Sequence, residues 1–116
     1  MYEYSAKITD VYDGDSITAI VDLGFELFTI KKLRLAGIDT PELKSSMMLE
    51  KELARQARDY LKGLVLNKDV RIVTYKKGKY GRYLADVYIS EQKVNDMLIA
   101  RGYARKYDGG KRLPWP

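Results

Sequence analysis

Met47-Met48-Leu49-Glu50-Lys51-Glu52-Leu53-Ala54-Arg55-Gln56-Ala57-Arg58-Asp59-Tyr60-Leu61-Lys62-Gly63-Leu64 is where the periodicity of this chain changes. Leu49, Leu53, Ala57, Tyr60, Leu61 and Leu64 recur at three- and four-residue steps, with Glu50, Lys51, Arg55, Arg58 and Lys62 on the other side. That spacing predicts an amphipathic helix from about Met47. On either side of it the period is two. Upstream, Tyr2, Tyr4, Ala6 and Ile8 alternate with Glu3, Ser5 and Lys7, which predicts a first strand with one buried face. Ile17, Ala19, Val21 and Leu23 predict a second strand, and Leu27 to Leu35 a third in the same meander. Lys31-Lys32 interrupts the third strand's alternation and predicts a bulge there.

Downstream, Val70, Ile72 and Thr74 alternate, Gly78 to Gly81 form a turn, and Leu84 to Ile89 return, so strands four and five form a hairpin. Asn95 is placed to cap a short second helix, with Val94 and Ile99 as a hydrophobic staple and Gly102 ending it. Five strands with the main helix between the third and fourth predict a mainly β protein with helices (α+β). The arrangement is a five-stranded Greek-key barrel of the oligonucleotide-binding type, with an open α+β sheet as the alternative.

With 116 residues and 46% hydrophobic content the chain is expected to form one domain, 1–116, in which 103–116 is a basic, aromatic and irregular tail. Lysine and arginine number 21 against 16 acids, a net charge of +5 that favours a polyanionic partner. The absence of histidine and cysteine removes Ser-His-Asp and cysteine catalysis, histidine-based RNA cleavage and ordinary zinc sites. Acids, arginines and a hard cation remain. The opening residues lack the apolar core of a leader, and no run approaches membrane-spanning length. The expectation is a monomer without membrane contact, cytoplasmic as written and secreted if a leader has been removed.

Four segments could carry chemistry, and each has a plainer reading. Asp13-Gly14-Asp15 is a hairpin turn, or half of a carboxylate site for Ca²⁺ or Mg²⁺. Asp39-Thr40-Pro41-Glu42 is a helix cap, or the source of a second carboxylate. Glu42 cannot both close a capping box and hold a nucleophilic water. Arg34 is a solvated strand cation, or a planar fork set to grip a phosphate. Lys76-Lys77-Gly78-Lys79-Tyr80-Gly81-Arg82, beside Tyr75 and Tyr83, is a solubilising hairpin tip or a phosphate-gripping loop with tyrosines to stack on bases.

As an ordered set these segments resemble the staphylococcal nuclease (thermonuclease) family. The likeness runs from Val11 to about Gly102 and rests on Asp13-Gly14-Asp15-Ser16, Arg34-Leu35-Ala36-Gly37-Ile38-Asp39-Thr40-Pro41-Glu42 and Tyr80-Gly81-Arg82, with Val94-Asn95 and Gly102 in support. It implies an oligonucleotide-binding barrel and Ca²⁺-dependent hydrolysis of DNA and RNA that leaves a 3′-phosphate. By position it implies Asp15, Asp39 and the Thr40 carbonyl as metal ligands and Glu42 as the residue that orients or deprotonates water. Arg34 and Arg82 correspond to the phosphate clamp, and Lys79 and Tyr80 to a terminal-phosphate contact.

Two departures bear on nucleotide preference. Gly78 stands where the family prototype has an acid, and the prototype's base-packing tyrosines have only Tyr103 or Tyr107 as counterparts. Some domains of this family have lost their catalytic residues and act as binding modules, and the alternative function is such a catalytically silent module for nucleic acid or protein partners. The presence here of every motif acid and both arginines favours an enzyme.

Overall fold

The computed structural model describes residues 1–77 and 81–115. The elements in chain order are β1 (Tyr2–Asp13), β2 (Ser16–Asp22), β3 (Phe28–Leu35), β4 (Ile38–Asp39), α1 (Met48–Val65), β5 (Asp69–Lys77), β6 (Tyr83–Ile89), β7 (Gln92–Lys93), α2 (Val94–Ala100) and β8 (Arg105–Lys106). The main sheet runs β3-β2-β1-β5-β6-β7, and β3 also pairs in parallel with β6. That last pairing closes β1, β2, β3, β5 and β6 into the five-stranded barrel, and removes the free edges of an open sheet.

Closure needs a strand that bends, and β1 is that strand. It pairs with β2 along one edge and β5 along the other, and its register with β2 shifts between Ile8 and Asp10 and again between Val11 and Asp13. The first shift leaves Thr9 and Asp10 both exposed and returns Val11 to the core. The bulge predicted at Lys31-Lys32 is absent: β2 and β3 stay in register from Ser16–Arg34 to Asp22–Phe28. Lys31 and Lys32 are exposed, as are Phe28 and Ile30, although Ala19 and Val21 on the paired β2 are buried, so the buried face of β2 is not continued across this part of β3. Phe25, between β2 and β3, is 97% exposed.

The core is filled from every layer. Ile8, Leu33, Leu35, Ile72 and Val87 come from the strands, Leu61 and Val65 from α1, and Val94 and Leu98 from α2, all nearly inaccessible to water. On α1 the buried line is Ala54, Ala57, Leu61 and Val65: Ala57 and Leu61 of the expected face are in it, whereas Leu49 is exposed. The helix packs its small residues closely and leaves Tyr60 and Leu64 at the margin.

Two expected caps are also corrected. Asp39 does not cap α1, because the helix begins only at Met48 after a loop, and its cap position, Met47, makes no side-chain cap bond. Asn95 lies inside α2 rather than at its cap. Its buried amide receives the Val87 N–H at 3.0 Å and donates to the Ala36 and Ala85 carbonyls at 2.9 and 3.2 Å, tying α2 to β6 and the β3–β4 turn. Gly102 ends α2 as expected. At φ +79° it allows the Gly102 and Tyr103 amides to turn back to the Ile99 and Leu98 carbonyls, both at 3.0 Å. Among the described residues no helix is long and apolar enough to cross a membrane.

Candidate active site

The seam that closes the barrel also assembles the site. Ser16 faces Arg34 across β2–β3, and Arg34 faces Leu84 across the parallel β3–β6 pairing, so the β1–β2 turn, the end of β3 and the start of β6 meet at one end of the barrel. The Leu35 amide donates to the Asp15 carbonyl at 2.8 Å and fixes the turn against β3. Asp13, Asp15, Arg34, Asp39, Glu42, Arg82 and Tyr107 line a cleft of about 660 Å³ there.

Asp15 and Asp39 are buried and converge. Arg34 Nη2 lies 3.3 Å from Asp15 Oδ2 and 3.8 Å from Asp39 Oδ1, while its Nη1 donates to the Ile38 carbonyl at 3.3 Å. Arg82 Nη1 donates to Ser16 Oγ at 2.7 Å, and Ser16 donates in turn to Asp15 Oδ1 at 3.2 Å. Arg34 is thus held at the mouth of the cleft by the acids beside it and Arg82 by Ser16, with donors left over for an anion. Asp13, whose carboxylate accepts the Leu43 amide at 3.4 Å, has its pKa raised, by burial first and then by the charge on Asp15.

Glu42 stands on the loop after β4 with its side chain 52% exposed, 3.9 Å from Arg112 Nε. Its own amide donates to Glu50 Oε2 at 3.0 Å, so the first turn of α1 anchors the loop and the Glu42 carboxylate is left free of the capping role. Tyr107 lies under Arg34, 5.7 Å from the guanidinium carbon to the ring centre, and its hydroxyl donates to the Gly110 carbonyl at 2.6 Å. Tyr103 is not brought to the cleft. It stacks on Tyr60, with ring centres 4.8 Å apart, against the core. Lys79 and Tyr80 lie outside the described residues.

The basic, aromatic tail docks back on the domain, as its composition favoured, but the acids it docks against were not disclosed by the sequence. β8 pairs with β4, and the tail beyond it crosses the cleft. Arg105 Nη2 contacts Asp39 Oδ2 at 3.1 Å; Arg112 Nε contacts Asp39 Oδ1 at 3.0 Å, and its Nη2 donates to the Thr40 carbonyl at 3.1 Å and to Glu50 at 3.3 Å. Burial opposes the charge on Arg112, but the bond to Asp39 and the neighbouring acids raise its pKa nonetheless. These partners lie 62 to 73 positions apart in the chain, and no local pattern could have joined them.

Among the described residues no three acidic side chains group into a metal cluster by themselves. The oxygens that do converge are two carboxylates and the Thr40 carbonyl. With water completing the shell, that donor set fits a hard divalent cation, and the ring of guanidinium groups shows that cationic charge is stabilised there.

A profile of the family described as staphylococcal nuclease homologues matches residues 32–112. A thermonuclease of Staphylococcus hyicus is 34% identical over 105 residues, which cover 89% of this chain and 59% of that protein. An uncharacterised protein of Methanocaldococcus jannaschii is 35% identical, covering 90% and 59% respectively, and an uncharacterised endonuclease of Haemophilus influenzae is 29% identical, covering 89% and 52%. The chain therefore spans between half and three fifths of the length of these curated relatives.

Proposed function

The chain belongs to the staphylococcal nuclease family, and on that footing we propose that it is a monomeric, calcium-dependent nuclease. It hydrolyses phosphodiester bonds of DNA or RNA by attack of water and leaves 3′-phosphate ends. The observation that supports this reading best is the convergence of Asp15 and Asp39 on a cleft rimmed by Arg34 and Arg82.

Hydrolysis is slow because a weak nucleophile must approach an anion, so the site has to activate water and offset charge together. Asp15, Asp39 and the Thr40 carbonyl would hold the calcium ion, which when bound polarises the phosphate. Arg34 and Arg82 grip the phosphate oxygens as negative charge grows on them. Glu42, free of the helix cap and open to solvent, holds the attacking water and takes its proton. Tyr107 contacts the nucleic acid, Lys79 and Tyr80 correspond by resemblance to a terminal-phosphate contact, and Tyr103 supports Tyr60 instead of a base.

Purified protein incubated with plasmid or single-stranded DNA and with RNA, in Ca²⁺ with and without chelator, should degrade nucleic acid only in free Ca²⁺. Degradation that persists in chelator rules out the metal role. A second reading, a catalytically silent nucleic-acid-binding module, draws on the tail arginines that cover Asp39. Salt-sensitive binding with no cleavage in any divalent metal would establish it instead.

A further inference from the structure

Arg112 bridges the two groups that the proposed function assigns to the cation. Its Nε and Nη2 lie 3.0 Å from Asp39 Oδ1 and 3.1 Å from the Thr40 carbonyl, and Arg105 takes the remaining Asp39 oxygen at 3.1 Å. Resting on that reading of the site, we propose that Arg112, on the C-terminal strap of residues 107–115, is an internal counter-cation that competes with the divalent ion for Asp39 and Thr40 and is displaced when the ion binds.

Asp39 is 1% exposed, and an ionised carboxylate so deeply buried is costly without a partner. Arg112 and Arg105 supply the nearest such partners while no metal is bound, with Arg34 farther off at 3.8 Å. A divalent ion that takes the same oxygens brings a second positive charge into close range of the Arg112 guanidinium, and like charges at that distance repel strongly. The two states therefore exclude each other at Asp39 Oδ1 and at Thr40.

The strap is built to let go. Beyond β8 it has no helix or strand from 107 to 115, so Arg112 can swing without breaking regular structure, and Glu42 and Glu50, 3.9 and 3.3 Å away, offer it alternative partners. Farther along, Arg105 stacks on Trp115, 4.1 Å from guanidinium carbon to ring centre, and donates to the Pro114 and Leu113 carbonyls. By linkage, whatever loosens the strap tightens metal binding, and metal binding loosens the strap.

Trp115 is the only tryptophan and sits in the strap, so it reports on the movement. Calcium binding is measured by calorimetry for the unaltered chain, Arg112→Ala and Arg112→Gln, with circular dichroism confirming that each is folded. Loss of Arg112 should tighten calcium binding by roughly tenfold, the equivalent of about 1.4 kcal/mol. In the unaltered chain Trp115 fluorescence should change with calcium at the calorimetric midpoint. In the variants it should start near its calcium-bound value.

Equal or weaker binding by both folded variants, or Trp115 emission indifferent to bound calcium, overturns the strap proposal and leaves the metal reading standing. Absence of binding heat for Ca²⁺, Mg²⁺ and Mn²⁺ in all three chains overturns both.

Discussion

Arg34 shows how much one side chain can hold. It touches both cleft acids and the Ile38 carbonyl, and covers Tyr107, so its guanidinium is oriented before any substrate arrives. Arg34→Ala and Arg82→Ala should each lower kcat by about 10³-fold or more, the value of a transition-state arginine in phosphoryl transfer, as read by single-turnover cleavage. Glu42→Gln should bind oligonucleotide normally and lose most turnover; near-normal turnover in that variant removes Glu42 as the base. Glu50 plays a different part. Burial raises its pKa, but the Glu42 amide, Arg112 and Ser45 together outweigh it and hold the carboxyl below its ordinary 4.5. A depressed folded-state pKa contributes stability that is present above 4.5 and lost as pH falls through the folded value. Glu50→Gln should therefore melt lower than the parent at pH 7, and the gap should close in melts run at progressively more acid pH.

At the scale of elements, the two glycines flanking α1's contacts behave oppositely. Gly14 sits in an Asp-Gly turn, the usual hairpin signal, yet it is not among the positive-φ residues; what it supplies is space. A Cβ there would lie 2.8 Å from Ala57 Cβ and 3.1 Å from Thr40 Cγ2, so the turn carrying Asp15 could not pack against α1 and the Thr40 loop. Gly14→Ala should cost about 1–3 kcal/mol in urea unfolding and shift the site as well. An unchanged midpoint would show that the helix yields freely. Gly63, on α1, meets nothing within 4 Å of an added Cβ, so Gly63→Ala should stabilise by about 0.5–1 kcal/mol through helix propensity alone.

At the scale of the whole molecule, fold and site share one seam. Three residue pairs, Leu33–Tyr83, Arg34–Leu84 and Leu35–Ala85, close the barrel and bring Arg34 towards the strand that Arg82 precedes. Leu35 is fully buried at that seam. Leu35→Ala should cost about 2–5 kcal/mol in urea unfolding and lower cleavage beyond the unfolded fraction, because the clamp loses its alignment. Cleavage that merely follows the folded fraction would mean the seam does not position the arginines.

Much of this was legible in order along the chain. The period-two runs, the period change near Met47 and Gly102 placed five strands and two helices, since periodicity and turn chemistry are local and survive in a string of letters; Asp15, Arg34, Asp39, Glu42 and Arg82 were singled out by the resemblance of their ordered motifs to a known family. The same local patterns misled where two uses share one signature. Asp39-Thr40-Pro41-Glu42 reads as a helix start, Asn95 as a cap and Lys31-Lys32 as a bulge, and only the folded chain shows that a loop, an internal tie and an in-register strand pair stand there instead. Tyr103 and Tyr107 are four residues apart, and nothing short of the folded chain could send one to the core and the other to the cleft. What the letters determined was the set of parts. Which cations beyond Arg34 face Asp39 was decided by tertiary structure alone, because Arg105 and Arg112 reach it across some 70 residues of chain, and a pairing at that distance is selected by how the barrel closes rather than by any neighbour in sequence.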